Sequence, residues 1–173
     1  MLIVVTGRPG TGKTTLARSL AGELRAAYLR IDAIETALQV YRNDHGPVGA
    51  EGYAVAHRLA DANLRLSLDV VVDAVCPVPE SRTAWSATAD DAGARLLMIE
   101  TYLPDADEHR RRVSERQPDM PDQRVPTWQE VKSSEWVAWD ESRDGPRMIV
   151  DTRSAEAALA AVRSVISPPA VAP

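Results

Sequence analysis

A short apolar run, a glycine-rich loop and a helical pattern follow one another at the start of the chain. Residues 2–5 read Leu-Ile-Val-Val, and residues 7–14 read Gly-Arg-Pro-Gly-Thr-Gly-Lys-Thr, which has the spacing G-x-x-x-x-G-K-[ST]. Glycine permits backbone angles that side chains forbid, so successive amide groups can point inward around phosphate oxygens. The order strand, loop, helix therefore predicts a phosphate-binding site at the start of the first helix, where the helix dipole also favours anions.

Each position of this loop has its own expected contact. Lys13 is expected to reach the β- and γ-phosphates of a nucleotide, and the Thr14 hydroxyl to hold Mg²⁺. The other loop positions expected to bind the nucleotide are Gly7, Gly10, Thr11, Gly12 and Thr15. The alternative is a glycine-rich turn with an incidental lysine, which the fixed spacing and its strand-helix context disfavour.

Short β-branched runs alternate with helical periodicities along the rest of the chain. Strands are predicted at residues 2–6, 28–31, 70–72, 95–100 and 148–150. This alternation is typical of parallel strands joined by right-handed crossover helices, so an α/β fold with a doubly wound parallel sheet is expected. We expect residues 1–166 to form one domain and residues 167–173 a disordered tail.

The helix before the third predicted strand has a periodic set of larger apolar residues. These residues are expected to form its buried stripe: Val55, Leu59, Ala62 and Leu66. Because the helices between strands two and three often cover the acceptor in this architecture, Arg58 on the same helix is a candidate substrate contact. The alternative is a solvated helix face with weak ion pairs.

Composition limits the compartment and the class of partner. The 25 acidic residues exceed the 20 Lys and Arg residues, giving a net charge of −5, which disfavours a nucleic-acid partner. The single cysteine, Cys76, cannot form an internal disulfide and suits a reducing cytoplasm. No apolar run is long enough to cross a membrane. A cytoplasmic protein without a membrane partner is therefore expected.

Two aspartates follow predicted strands on the same side as the loop. Asp32 comes after the second strand and is expected to accept or orient the proton of a substrate hydroxyl that attacks the γ-phosphate. The alternative role for Asp32 is a helix N-cap. Asp73 ends the apolar run 70–72 and is expected to contact substrate and help to hold Mg²⁺, often through water. Which of the two carboxylates is the base stays open.

An arginine pair stands at the root of a proline-rich segment. Arg112 and Arg116 are one helical turn apart and precede residues 117–126, which contain three prolines. We predict a lid here, whose root arginines neutralise charge on the transferring phosphoryl group while closure excludes water. The alternative is a solvated helix end with charges that suit the helix dipole. Arg110 and Arg111 are expected to face solvent.

Two more arginines and a group of tryptophans have less specific signals. Arg82 follows the third strand and is a candidate substrate contact, with a surface role as the alternative. Arg153 follows the last strand and is a candidate nucleotide contact. Thr127 and Glu130 have the spacing of a capping box. The tryptophans after the lid are expected to be packing residues: Trp128, Trp136 and Trp139.

Together the loop 7–14, Asp32, the run 70–73 and the arginine pair resemble the small P-loop kinases related to adenylate kinase. Compact members of that group include gluconate kinase, shikimate kinase, adenylylsulfate kinase and chloramphenicol phosphotransferase. The resemblance implies a three-layer P-loop kinase fold with strand order 2-3-1-4-5 and a short lid. It further implies that Asp32 contacts the acceptor, that a carboxylate stands at Asp73, and that the arginine pair contacts nucleotide phosphates.

The same resemblance implies that Arg82 meets the acceptor, as an arginine does in adenylylsulfate kinases. Residues 73–77 read Asp-Ala-Val-Cys-Pro, in place of the Asp-Gly-Phe-Pro-Arg signature of nucleoside monophosphate kinases. A nucleoside monophosphate acceptor is therefore disfavoured.

The function expected from these patterns is transfer of the γ-phosphate of ATP to a hydroxyl of a small molecule, with Mg²⁺. The acceptor would be a metabolite or, as in resistance phosphotransferases, an antibiotic. The alternatives are a macromolecular or nucleotide-sugar acceptor, and a nucleotide-dependent binding switch that hydrolyses slowly. The sequence leaves open the choice between ATP and GTP, the acceptor itself, and the oligomeric state, a homodimer included.

Overall fold

Five parallel strands form one sheet at the centre of the computed structural model, which describes residues 1–44, 46 and 48–166. The strands are β1 (Leu2–Thr6), β2 (Ala27–Arg30), β3 (Val70–Asp73), β4 (Leu96–Tyr102) and β5 (Met148–Asp151). Their order is β2-β3-β1-β4-β5, and every neighbouring pair is parallel. The predicted strand order and fold class are confirmed.

Helices cover both faces of this sheet. They are α1 (Lys13–Leu24), α2 (Ile31–Arg42), α3 (Glu51–Arg65), α4 (Pro79–Asp91), α5 (Ala106–Glu115), α6 (Trp128–Ser133), α7 (Glu141–Asp144) and α8 (Ala155–Ile166). α3 and α4 pack on one face, and α1 and α8 on the other. Across the described ranges, none of the helices combines the length and the apolar character that crossing a bilayer requires.

Strand β1 shows why the sheet must be covered twice. Its residues 2–5 are fully buried, and their side chains alternate between the two cores. Leu2 and Val4 belong to the core under α3 and α4, whereas Ile3 and Val5 belong to the core under α1 and α8. A continuous apolar strand of this kind is typical of a central parallel strand.

The register of the strands brings charged residues to one edge of the sheet. Val5 of β1 pairs with Asp73 of β3, and Asp73 pairs with Arg30 of β2. Since the loop after β1 begins only two residues beyond Val5, these two side chains lie beside it. The carboxyl ends of parallel strands are where ligands bind in such sheets.

The predicted buried stripe of α3 is wrong. Its four residues, Val55, Leu59, Ala62 and Leu66, are all exposed, and the buried face consists of Gly52, Ala56, Ala60 and Leu64. Small residues let α3 approach its neighbours closely: a Cβ at Gly52 would lie 2.6 Å from Cγ of Glu35 in α2. The larger apolar residues therefore point outward because the close packing needs the small ones inside.

Other differences concern the ends of elements. Strand β4 extends to Tyr102, two residues beyond its predicted end, and the short helix α7 was not predicted. The capping box at Thr127 and Glu130 is confirmed, since each side chain bonds the backbone of the other. The predicted tail, residues 167–173, lies outside the described residues.

Candidate active site

Threonine hydroxyls hold the glycine-rich loop in place. The Thr11 hydroxyl donates to the carbonyl of Arg8 at 2.7 Å and lies 2.7 Å from the hydroxyl of Thr101 at the end of β4. From beyond β5, the Thr152 hydroxyl donates to the Thr11 carbonyl at 2.7 Å. Neutral hydrogen bonds from two strand ends thus fix the loop on both sides.

Two glycines let the loop pack closely against β4 and α5. Gly7 has a φ of 140°, and a Cβ there would lie 2.3 Å from the Thr101 hydroxyl oxygen. Gly10 has a φ of 84°, and a Cβ there would lie 2.4 Å from a methyl group of Val113. Both positions therefore require glycine for conformation and for space.

Lys13 is buried where the charges of both predicted carboxylates act on it. Its side chain donates to the carbonyl of Arg8 at 3.1 Å, and the residue is only 8% exposed. Burial lowers the pKa of the Lys13 ammonium, while the negative charges of Asp73 and Asp32 act to raise it. The structure thus brings the lysine of the loop and the two aspartates into one electrostatic cluster.

A cavity of about 290 Å³ lies above the loop. Residues from the loop, from α1 and from the lid line it: Gly10, Gly12, Lys13, Thr14, Thr15, Arg18, Arg112, Arg116, Gln117 and Asp119. A second cavity of about 150 Å³ extends toward β5 and α8 and shares Gly12, Thr15 and Arg112 with the first. Together they form a groove that runs from the loop to the end of β5.

Asp73 and Thr14 have oxygen atoms suited to Mg²⁺. The Tyr28 hydroxyl donates to Oδ2 of Asp73 at 3.0 Å, and Arg30 Nε lies 3.8 Å from the same oxygen. Within the described ranges, neither Oδ1 of Asp73 nor the Thr14 hydroxyl makes a hydrogen bond. The same residues contain no group of three or more His, Cys, Asp or Glu side chains that could hold a metal, so Mg²⁺ there would also need phosphate oxygens or water.

Asp32 is not the N-cap of α2, so the alternative role is wrong. The helix begins at Ile31, which puts Asp32 in the first turn, and the capping position is Arg30. Oδ2 of Asp32 accepts a hydrogen bond from Gln123 Nε2 at 3.3 Å and lies 3.7 Å from Arg116 Nη2. The carboxylate therefore faces the lid and its root arginine.

The two lid-root arginines line the cavity but differ in their partners. Arg112 donates to Glu108 at 2.7 Å and to the carbonyl of Thr152 at 3.0 Å, so its guanidinium is already held. Within the described residues, the Arg116 guanidinium has only the 3.7 Å contact with Asp32 described above. Arg110 and Arg111 are exposed, as the helical spacing predicted.

The predicted lid, residues 117–126, lies docked on the core without helix or strand. Gln123 is 8% exposed and accepts a hydrogen bond from the backbone amide of Asp119 at 3.0 Å. The Asp119 carboxylate pairs with Arg18 of α1 and Arg30 of β2. Sequence reasoning missed these four residues, although Arg30 stands only two positions before Asp32.

Glu35 is a further carboxyl that sequence reasoning missed. It lies three positions after Asp32, on the same face of α2, and against Gly52 of α3. Burial, with a smaller effect from the charge of Asp32, raises the pKa of Glu35 to about 7. The helical spacing from Asp32 was the signal that could have found it.

The structure does not bring Arg82 or Arg58 to this groove. Arg82 is 1% exposed and donates to Asp144 at 2.9 Å and to the carbonyl of Val137 at 2.6 Å, so it ties the segment before β5 to the core. Arg58 is exposed and lines a separate cavity between α3 and α4 with His57. Neither residue lines the cavity above the loop.

Arg153 lies at the far end of the groove, where it was predicted to contact the nucleotide. It lines the second cavity, and its exposed guanidinium pairs with Asp151 at 2.6 Å. Two of the tryptophans after the lid stack on arginines, Trp136 on Arg8 and Trp139 on Arg82, and Trp128 meets the ring of His109 edge-on. They pack within the protein, as expected.

Solved structures share this fold along nearly the whole chain. A putative kinase from Chloroflexus aurantiacus is 22% identical over 95% of this chain and 94% of its own, with a TM-score of 0.67. A sugar kinase from Janibacter sp. is 19% identical over 99% and 98%, with a TM-score of 0.67. The APS kinase of Mycobacterium tuberculosis, solved with AMPPNP and APS, is 20% identical over 96% and 97%, with a TM-score of 0.60.

These likenesses show a P-loop fold of the kind that small kinases use, which confirms the predicted resemblance. A search of curated proteins finds no match. A family model described as an AAA domain matches residues 2–145, which is most of the chain. The protein therefore belongs to the AAA domain family and has the fold of a small P-loop kinase.

Proposed function

We propose that this protein is a kinase that transfers the γ-phosphate of ATP to a hydroxyl group of a small molecule. One observation carries the proposal: the Asp32 carboxylate lies beside the phosphate cavity, 3.7 Å from a lid-root arginine that lines that cavity. A carboxylate beside the phosphates suits a hydroxyl nucleophile, which must be oriented and deprotonated.

The groove suits a nucleotide in one orientation. Loop amides, Lys13 and the root arginine Arg116 surround the cavity above the loop, so the phosphates would bind there. The second cavity contains apolar side chains, Leu16, Ala155 and Ala158, and would take the ribose or base. The Thr14 hydroxyl and Asp73 would hold Mg²⁺, which offsets phosphate charge when it is bound.

In the proposed reaction the acceptor oxygen forms a bond to the γ-phosphorus, and the bond from that phosphorus to the oxygen bridging the β-phosphate breaks. The hydroxyl proton passes to the Asp32 carboxylate, and ADP leaves with the bridging oxygen. Lys13 and Arg116 stabilise the charge that develops on the phosphoryl group and the leaving oxygen. Closed over the bound acceptor, the lid would exclude water from this step.

An acceptor-dependent ADP-release screen tests the proposal. Hydroxylated metabolites and antibiotics are added singly to the protein with Mg·ATP, and ADP is followed by a coupled assay. At least one acceptor is expected to raise ADP release well above basal hydrolysis, and the Lys13→Ala variant is expected to lose that increase. If no acceptor raises ADP release in the intact protein, the slow nucleotide switch becomes the better interpretation.

A further inference from the structure

The lid residue Asp119 lies between two arginines of the core. Arg30 Nη1 donates to Oδ2 of Asp119 at 2.9 Å, and Arg30 Nη2 lies 2.9 Å from Oδ1. Arg18 Nη2 lies 2.7 Å from Oδ2. Two guanidinium groups from different elements thus surround one carboxylate, which is the arrangement by which proteins recognise carboxylates, phosphates and sulfates.

Arg30 is buried and incompletely bonded. It is 5% exposed, and its Nε and Nη2 atoms make no well-aligned hydrogen bond anywhere in residues 1–44, 46 and 48–166. A buried guanidinium is costly unless its charge is paired and its donors are used. Its best partner, Asp119, belongs to a loop without regular structure and has a side chain that is 33% exposed.

Arg30 lies on the side of the cleft where the acceptor is proposed to bind. Arg30 ends β2, and its Nη2 lies 3.5 Å from Oδ2 of Asp32, the carboxylate proposed to meet the attacking hydroxyl. An acceptor that reaches Asp32 must enter where the lid now lies. A group of that acceptor would therefore meet Arg30 as soon as Asp119 moves away.

We propose that Arg18 and Arg30 form a subsite for an anionic group of the acceptor, and that Asp119 occupies this subsite when the acceptor is absent. The inference rests on the proposed kinase function and narrows its substrate class to hydroxylated molecules that also carry a carboxylate, phosphate or sulfate. The exchange conserves charge, because one anion replaces another beside the same arginines. Release of Asp119 would let the lid reposition over the bound acceptor.

Binding of sulfate tests the subsite without any need for turnover. Equilibrium dialysis with radiolabelled sulfate is performed on the full chain saturated with Mg·ADP, for the wild type, Asp119→Asn and a control variant, Asp122→Asn. Asp122 lies in the same loop, is exposed and makes no ion pair within the described residues. Asp119→Asn is expected to bind sulfate at least about tenfold more tightly than the other two proteins.

Asp119→Asn should bind sulfate more tightly because its side chain carries no charge and no longer competes for Arg18 and Arg30. Adding Arg18→Gln to Asp119→Asn is expected to remove most of the gain, and Arg18 is half exposed, so that variant should fold. Equal sulfate binding by wild type and Asp119→Asn would overturn the proposal.

A second arm separates the acceptor from the γ-phosphate as the source of the anion. The sulfate titration is repeated with Mg·AMPPNP in place of Mg·ADP. Retained sulfate binding in Asp119→Asn supports an acceptor subsite. Loss of sulfate binding only with AMPPNP would assign the arginines to the γ-phosphate and overturn the inference.

The acceptor screen supplies the third arm. Charged acceptors are compared with uncharged counterparts of the same skeleton, such as glycerate and glycerol 3-phosphate with glycerol. Among acceptors that are turned over, charged ones should be preferred, Asp119→Asn should lower their KM, and Arg18→Gln should raise it. Equal turnover of an uncharged counterpart would refute this subsite and leave the kinase function standing, whereas no turnover at all would refute the kinase function.

Discussion

The proposed nucleotide side and the proposed acceptor side of the cleft are held together by different kinds of interaction. On the nucleotide side, the loop is fixed by short hydrogen bonds among neutral groups, such as those of Thr11 and Thr152. On the acceptor side, charged side chains from β2, α1, the lid and the root of α5 meet around Asp32 and Asp119. Neutral bonds keep one geometry over a wide range of conditions, whereas a charged cluster responds to pH, salt and competing anions.

The contrast suggests that the loop is preformed, whereas the charged cluster around Asp32 and Asp119 can adjust. The glycines and threonines of the loop already set its backbone shape. The half around Asp32 and Asp119 is held together by ion pairs, which an anionic acceptor would exchange if the proposed function holds. Substitutions on the proposed nucleotide side and on the proposed acceptor side should therefore differ in how much they change ligand affinity and how much they change kcat.

The largest effect is expected from Lys13→Ala on the nucleotide side. Loss of the ammonium that we propose to contact the β- and γ-phosphates should lower kcat by at least about 10³-fold. The fold should persist, because within the described residues the Lys13 side chain makes a single hydrogen bond, to the carbonyl of Arg8. ADP release and the thermal unfolding midpoint are the two measurements, and normal turnover would contradict the role given to the loop.

Asp32→Asn should have the next largest effect, on the acceptor side. The side chain keeps its size and can still accept from Gln123, but it can no longer take a proton. We expect kcat to fall by roughly 10²–10⁴-fold with little change in nucleotide affinity. Single-turnover kinetics and nucleotide titration separate these two effects.

If Asp32→Asn phosphorylates the acceptor at the full rate, Asp32 is not the base and Asp73 becomes the candidate for that role. A parallel loss of nucleotide affinity would instead show that the two halves are not independent.

Arg116→Ala should lower kcat by about tenfold to a thousandfold, because its guanidinium faces the cleft. Arg112→Ala should lower kcat by the same factor or by a smaller one, because that side chain is already bonded to Glu108 and Thr152. Arg110→Ala is the matched control, since Arg110 is exposed on the same helix. Equal losses in all three variants would contradict the assignment of helix faces.

The smallest effect concerns the stability contributed by Glu35. Its pKa is raised from 4.5 to about 7 in the folded protein, so the folded state disfavours the ionised form. Below the pKa that Glu35 has in the unfolded chain, the carboxyl is protonated in both states and its burial costs no stability. The free energy of unfolding falls as the pH rises through about 7, where Glu35 must ionise in the folded protein. Glu35→Gln should therefore gain stability relative to the wild type between pH 5 and pH 8, by urea unfolding.

Glu156→Gln is the control for that experiment, because Glu156 is exposed at the start of α8. Its stability relative to the wild type should not change between the same two pH values. A Glu35→Gln variant that behaves in the same way would show that Glu35 is ionised freely in the fold.

The sequence was sufficient for the parts that depend on local pattern. The phosphate loop, the strand order and the exposure of Arg110 and Arg111 follow from spacing and from the family resemblance, and the structure agrees with them. The sequence singled out Asp32 as following the second strand, but it did not predict that Asp32 lies inside the first turn of α2.

The rest depends on contacts between distant segments. Arg30 and Asp119 are 89 residues apart, and nothing in the local pattern of either residue points to the other. The buried face of α3 was missed because small residues such as Gly52 and Ala56 give a weak hydrophobic signal and yet pack most closely. Arg82 was a candidate substrate contact because it follows the third strand, and its partner Asp144, 62 residues away, gave no local signal of the buried ion pair.

The stacking of Arg8 on Trp136 gives the phosphate loop an optical property. The Arg8 guanidinium carbon lies 5.0 Å from the centre of the indole ring, and Arg8 also donates to the carbonyl of Val131 at 3.0 Å. Indole emission responds to a nearby positive charge, so a shift of Arg8 toward an incoming phosphate would change the fluorescence of a residue that stands outside the cleft. Trp136 would therefore report phosphate binding at the loop through its own fluorescence.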